Sequence, residues 1–580
     1  MSNQRNLILA IVLSLALFLG WQFVMVKYFP APDEPVATAS AAPAAQPATA
    51  SGSAEEATGS RNLATELASP QRVKIDAPQL EGSINLVGAR VDDIEFRNYR
   101  QTIERDSGPV QFMAPLGTDQ QHFARFDWVG EGVAVPGPQT VWTASGSALS
   151  PATPVKLSWN NGQGQLFELT FTIDDHYMIT VEQAVSNLAS GPVALRPRAL
   201  INRTSLTADP KNFNVHSGPI AAVDGAMNFD WDYQEVTDEL ANQREAGNTG
   251  PLELPGRPGW IGFTDTYWMS ALIPQANSDA AISFASAGTD KYAAVLLYDA
   301  VNVPAGRKVV RSTRLFAGAK ESAVLNDYEA QGVEQFGLAI DWGWFRFIVK
   351  PMEQFLLFLV GHVGNFGLAI ICLTFIVRLL MFPIANKQFA SMAQMRAVQP
   401  KMKALQERYK DDKQQLQQEM AKLYKEEKIN PLAGCLPIFL QMPIFFALYK
   451  SLRVAVEMRH QPFFGWIHDL SAPDPLHVLN LFGLLDFTPT SFLAIGPLAI
   501  LLGVTMWLQF KLNPAAMDPM QQQVFMIMPW MMMFVMAPFA AGLLIYWITS
   551  NILTLAQQQY LYSRHPQLRA QAASPSPDRG

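Results

Sequence analysis

Apolar positions fall into two regimes along the chain. Over residues 61–333 they come in short alternating runs broken by Gly, Pro, Asn and Asp. Phe167, Leu169, Phe171 and Ile173 alternate with Glu168, Thr170 and Thr172, the two-residue period of a strand with one wet face. This predicts a large β-sandwich. Beyond residue 334 the runs lengthen to helical dimensions: 366–385, 432–449, 492–510 and a final run from Val524 to Leu555. As one helix that last run would be about 48 Å long, too long for one upright span, and Pro538 divides it into segments 524–537 and 539–557. At the other end, Leu7 to Val26 holds no charge and is about 30 Å long as a helix. Lys27 to Pro30 follow it rather than a small-residue cleavage site, so residues 1–29 read as an uncleaved anchor, not a signal peptide. The expected fold class is a multi-pass α-helical membrane protein of six spans with a β-sandwich domain and a helical hairpin.

Between these elements the pattern is more particular. Residues 30–60 are rich in Ala and Pro with four acids and no base, a composition that cannot offset chain entropy by burial and predicts a flexible tether. Residues 334–350 mix Phe336, Trp342, Trp344, Phe345, Phe347 and Ile348 with Asp341, Arg346 and Lys350. They predict a helix lying in the membrane interface and ended by Pro351. In 386–430, Met402, Leu405 and Tyr409 form one apolar stripe and Leu416, Met420 and Leu423 another, with Asp411 and Asp412 between them. Two helices packed as an antiparallel hairpin are expected.

Charge orients this plan. Of 43 basic and 50 acidic residues, residues 30–335 hold 21 and 36, leaving the remainder net positive. An acidic domain repels phosphate and excludes DNA as its partner. The hairpin segment carries ten bases against six acids, which places it in the cytoplasm by the positive-inside rule. Both termini then fall inside, and the β domain, which has no cysteine, falls outside as a periplasmic domain. The 566–580 tail is expected to be disordered.

Conventional catalytic signatures do not emerge. Cys372 and Cys435 both sit in apolar runs, and His122, His176 and His216 are far apart, with no metal-binding or nucleophile motif around them. The informative residue is Arg378, thirteenth in the 366–385 run and therefore about 10 Å from its cytoplasmic end. A guanidinium at such depth costs about 2.5–3.5 kcal/mol on insertion scales. None of the other spans offers an Asp or Glu; Thr374 stands one turn before the arginine, and the other spans offer Gln441, Thr505, Gln509, Thr549, Ser550, Asn551 and Thr554. An arginine among neutral polar groups predicts a hydrated groove that takes its anion from elsewhere. Coupled transporters usually carry intramembrane carboxylates or histidines, so a site receiving a polypeptide fits better than an uncoupled channel or transporter. Met442, Ile444 and Phe445, with the methionines of 526–536, could form its adaptable apolar wall. Membrane lipids are the remaining expected partner.

Several stretches resemble a known family. They are Arg378 to Ile384 (RLLMFPI), Asn430 to Tyr449 (NPLAGCLPIFLQMPIFFALY), Trp466 to Ser471 (WIHDLS), Asp518 to Gln523 (DPMQQQ) and Gly542 to Gln559 (GLLIYWITSNILTLAQQQ). Together they look like the YidC/Oxa/Alb family of membrane protein insertases, in the Gram-negative form with a large outer domain. The resemblance implies a β-supersandwich for that domain, similar to sugar-mutarotase folds. It also implies an insertase and chaperone for nascent membrane proteins, without covalent chemistry or cofactors, acting alone or beside the Sec translocon. By the same resemblance Arg378 and Thr374 face the groove, Gln441, Met442 and Phe445 line the path of substrate helices, and Tyr546 and Trp547 form its far wall. Where relatives dock ribosomes through a strongly basic tail, this tail holds only three arginines. The hairpin is the better candidate for ribosome contact.

Overall fold

Alternation in the sequence becomes alternation in burial. In the computed structural model, which describes residues 61–564 apart from 105, 207–214, 288–289, 410–411, 428–435, 486, 488, 490–492 and 513–518, Phe167, Leu169, Phe171 and Ile173 all point into a core. The expected anchor, tether and tail lie outside the described residues. Phe126 and Trp128, on the strand His122–Val129, meet Phe171 and Phe167 with ring centroids 6.2 and 5.1 Å apart. Those two strands belong to different sheets, so the core lies between two layers.

Among the described residues one sheet has eleven strands and the other nine. The larger runs from Leu252–Leu254 through Ala280–Ala287, Lys291–Tyr298, Val193–Thr204, His122–Val129, Arg90–Arg100, Leu80–Asn85 and Arg72–Asp76 to Ala148–Leu149. The smaller runs from Ala226–Asn228 through Gly218–Val223, Pro258–Thr264, Trp268–Ile273, Arg307–Ala319, Met178–Asn187, Gln165–Ile173 and Val155–Asn160 to Thr143–Ala144. Neighbours along both paths are antiparallel, except that Arg72–Asp76 pairs in parallel with Ala148–Leu149. Asp232, an acid on the surface of this domain, caps the helix Tyr233–Glu245 in a reciprocal pair with Glu235, a structural task that accounts for both carboxylates.

The helical part comprises α1 (Arg346–Val363), α2 (Phe366–Arg408), α3 (Lys413–Glu426), α4 (Leu436–Val454), α5 (Pro497–Leu512), α6 (Pro519–Met536) and α7 (Ala541–Arg564). The last apolar run is indeed interrupted around Pro538, between α6 and α7. The segment Phe366–Asn386, within α2, is long and apolar enough to cross a membrane; Pro497–Leu512 and Met526–Met536 are apolar but shorter.

Two features differ from the sequence expectation. First, the 334–350 segment is not one interfacial helix ended by Pro351. Phe336 and Trp342 are buried, and the Phe336 ring packs against Trp260, Phe316 and Tyr328 of the sandwich. The helix begins only at Arg346, leaves Trp344 and Phe347 exposed, and runs straight through Pro351 to Val363. An interior proline costs about 3 kcal/mol. Burial of Val349, Met352 and Leu356 on one face of the same helix offsets that cost. Second, the span at 366–385 and the first arm of the hairpin form one unbroken helix, α2. Its far end packs back on α3, with Val398 and Leu423 buried and Met402, Leu405 and Tyr424 against them. Leu416 and Met420 are half-buried.

The sandwich joins the helices through buried polar contacts. Tyr99 and Tyr177 donate their hydroxyls to Glu321, at 2.9 and 2.6 Å. Next to it, Ser322 donates its backbone N–H to Glu457, after α4, at 3.0 Å, and its hydroxyl to Glu353 of α1 at 3.3 Å. Arg459 donates to the carbonyls of Arg100 and Gln101 and lies over the Trp268 ring. Lys450 at the end of α4 pairs with Asp341 at 2.9 Å, and Asp341 also accepts the backbone N–H of His216.

Burial raises the Glu353 carboxyl to about 7, helped by the nearby charge of Glu457, and burial raises Glu457 to about 7 as well. Both start from 4.5, so the folded protein holds protons there that the unfolded chain releases. Their contribution to stability is full below about pH 4.5 and is lost as pH rises through about 7, at about 1.4 kcal/mol per pH unit for each proton. Thermal unfolding in detergent from pH 5 to 8 is expected to show this decline. Glu353→Gln combined with Glu457→Gln should flatten it, and an equal slope in the double variant would assign the decline to other groups.

Candidate functional site

The site predicted around Arg378 is built on α7. Successive turns of a helix place residues four apart on one face, so Tyr546 and Ser550 share a face, and Trp547 and Asn551 share the next. From α2, the Arg378 guanidinium donates to the Ser550 hydroxyl through Nε, at 3.1 Å, and through a second nitrogen. From α4, the Gln441 amide donates to the Tyr546 hydroxyl, and Phe445 meets Trp547 edge-on with centroids 5.2 Å apart. From α5, Thr505 accepts a hydrogen bond from the Asn551 amide at 3.1 Å. One helix thus supplies a polar or aromatic partner to each of three neighbours.

The seven predicted residues do not all play equivalent parts. Arg378, Gln441, Phe445, Tyr546 and Trp547 converge through these contacts. Thr374 stands one turn before Arg378, but its hydroxyl donates to the Ile370 carbonyl at 2.6 Å and the residue is only 1% exposed. It satisfies itself within its own helix. Met442 is 41% exposed and free to meet an apolar partner. The methionines of α6 divide similarly: Met526 and Met531 are exposed, Met532 and Met533 pack against the core, and Met536 is buried.

Ser550 is the residue sequence reasoning left without a role. Its signal was its spacing, four residues after Tyr546, which puts a hydroxyl beside the phenol. Among the described residues no carboxylate lies within ion-pair distance of Arg378, and no group of His, Cys, Asp and Glu could hold a metal ion. His122 is instead buried within the sandwich, with its ring nitrogens at 2.9 Å from the Phe112 carbonyl and the Ser270 hydroxyl. The arrangement around α7 can hydrogen-bond an anionic or polar group through Arg378, and Met442 presents an exposed apolar side chain beside it. It offers no nucleophile paired with a base.

Residues 358–568 match the family described as 60Kd inner membrane protein, and residues 72–355 match the YidC periplasmic domain. The chain is 43% identical over 566 residues to the membrane protein insertase YidC of Zymomonas mobilis subsp. mobilis, covering 97% of this chain and 96% of that one. To the membrane protein insertase YidC of Bradyrhizobium diazoefficiens it is 41% identical over 612 residues, covering 97% of each. A crystal structure of an active YidC insertase with its first transmembrane domain resolved aligns over 85% of this chain and 93% of that one, with a TM-score of 0.37 and 18% identity.

Hydrogen bonds to charged groups contribute about 1.5–3 kcal/mol. Ser550→Ala is expected to destabilise the protein by about that much, read as a lower Tm in detergent. An unchanged Tm would mean that water takes over the hydroxyl's place beside Arg378.

Proposed function

The chain belongs to the YidC family of membrane protein insertases, inner-membrane proteins with a periplasmic domain, and from that premise we propose how its helical part receives a substrate. Six spans cross the membrane: 7–26, 366–385, 432–449, 492–510, 524–537 and 539–557. Both termini and the hairpin face the cytoplasm. A groove bounded by α2, α4 and α7 is hydrated and open on that side, with Arg378, Gln441, Met442, Phe445, Tyr546 and Trp547 along it, while Thr374 packs within α2 behind Arg378.

The observation that carries this reading is Arg378, held by the neutral Ser550 hydroxyl with no carboxylate in ion-pair distance among the described residues. A guanidinium so placed attracts an acidic or polar tail of an incoming membrane protein and shortens the path that tail crosses in hydrocarbon. The fifth of these spans, 524–537, rises only about 21 Å as a helix, against a hydrocarbon core of about 30 Å. A helix that short thins the bilayer beside it and lowers the barrier further. Release is driven by burial of the substrate's own apolar helix in lipid, at about 25 cal/mol per Å², with help from the membrane potential on negative charge. No nucleotide takes part. The basic hairpin is the surface offered to ribosomes, and the same groove serves substrates delivered beside the Sec translocon.

The deciding experiment is protease-protected insertion of a small acidic-tailed membrane protein into liposomes that contain only this chain. Arg378→Ala is expected to lose most of the insertion, and Arg378→Lys to retain more of it. Neutralising the substrate's tail should abolish the difference. Equal insertion by all three proteins would remove the arginine from the mechanism, whereas insertion no better than in empty liposomes would count against autonomous activity.

A further inference from the structure

The segment that joins α4 to α5 crosses the ends of the helices on the side of the sandwich. Its stem is tied to several of them. Asn365, capping α2, donates its amide to the Pro462 carbonyl at 3.1 Å. The first two N–H groups of α7, on Ala541 and Gly542, donate to the carbonyls of Ala472 and Leu470. Asp474 is buried and accepts from Trp466 Nε1, from the Leu476 N–H and from the Leu498 N–H in the first turn of α5. Gly496 permits that approach, since a Cβ there would come within 2.5 Å of the Asp474 carboxylate. The segment is therefore pinned at the level where these helices begin.

From this stem a turn projects whose polarity is inverted. Asn480 is buried at its centre: its side chain accepts the Gly483 N–H at 3.1 Å and donates to the Phe487 carbonyl at 3.3 Å, and its own carbonyl accepts the Leu485 N–H at 3.0 Å. Around it, Leu479, Leu481, Phe482, Leu484, Leu485 and Phe487 are all exposed, Leu484 to 84%. Leu481 and Phe482 hold φ of 52° and 60°, in the left-handed region where a turn facing water ordinarily has Gly, Asn or Asp. The backbone bond from the Phe482 N–H to the His477 carbonyl, 2.8 Å, helps to fix them there. A turn that keeps its polar side chain inside and strains its backbone to turn Leu and Phe outward is built for an apolar surrounding.

We propose that the crown formed by Leu479, Leu481, Phe482, Leu484, Leu485 and Phe487 is a membrane-interface anchor, seated in the headgroup and upper acyl region of the leaflet on the side of the sandwich. The occupant is lipid, because the stem of the crown is tied to the residues that open α5, whose Leu501 and Val504 are exposed along an apolar helix. The turn is joined to that helix by the Val478 N–H bonded to the Ile495 carbonyl at 3.0 Å. Anchored there, the turn fixes the height of α5 and α7 in the bilayer. This inference rests on the reading of α5 as a membrane span.

The test uses the full chain carrying Cys372→Ser and Cys435→Ser, with one cysteine added for an environment-sensitive fluorophore. Leu484→Cys and Phe482→Cys probe the crown, Val504→Cys probes the span, and Ala305→Cys probes a turn at the far end of the sandwich. Each is reconstituted in vesicles of phosphatidylethanolamine and phosphatidylglycerol, with spin-labelled lipid as quencher at either end of the acyl chain. The crown probes are expected to lose fluorescence most to the label near the headgroup, while Ala305 stays unquenched. Quenching at Val504 without quenching at either crown position would overturn the anchor and leave the span intact, whether iodide reaches the crown from water or a protein surface shields it. No quenching at Val504 would remove the span, and the anchor with it.

Discussion

A guanidinium among apolar helices has to be solvated by something, and the helical part of this protein is arranged around the solution that α7 provides. Ser550 accepts from Arg378, Tyr546 accepts from Gln441, and Asn551 donates to Thr505. Trp547 adds an aromatic contact to Phe445. Because these residues lie within six positions of one helix, α2, α4 and α5 are all registered against the same short stretch. Neutral partners suit an insertase better than a fixed carboxylate would. A buried ion pair would already have neutralised Arg378, whereas the Ser550 hydroxyl leaves its charge uncancelled.

The same economy of charge recurs at the junction with the sandwich. Glu321, Glu353 and Glu457 gather around Ser322 and two tyrosines, and burial, with the charge of Glu457 beside Glu353, keeps protons on Glu353 and Glu457 near neutral pH. The junction is therefore coupled to the acidity of the compartment around the sandwich.

Much of this was legible in the chain because burial imposes a period. The β domain followed from alternation such as that of Phe167 to Ile173, and the hairpin from its paired stripes. Arg378 stood out because charge is rare in apolar runs. What escaped were arrangements with no local period. Glu353 and Glu457 look like ordinary acids until the fold brings both to Ser322. Ser550 looked like one of several small polar residues until α7 aimed it at Arg378. Pro351 read as a stop because its local cost is plain and the buried face that outweighs it forms only with neighbours in place. The apolar residues around Asn480 drew no attention in the chain because their exposure, not their composition, is the unusual feature.

The continuity of α2 has a mechanical consequence. From Phe366 to Arg408 it is 43 residues long, about 65 Å as a straight helix, with Arg378 near one end and the seam of the hairpin near the other. A helix is stiff along its axis, so a push or pull on the hairpin reaches the arginine with little loss. Bending is different: Pro383 removes one rung of the hydrogen-bond ladder between those two points, and Pro400 removes another within the seam itself. The helix is thus a strut with two flexures, able to transmit thrust to its charged end while absorbing tilt before it arrives.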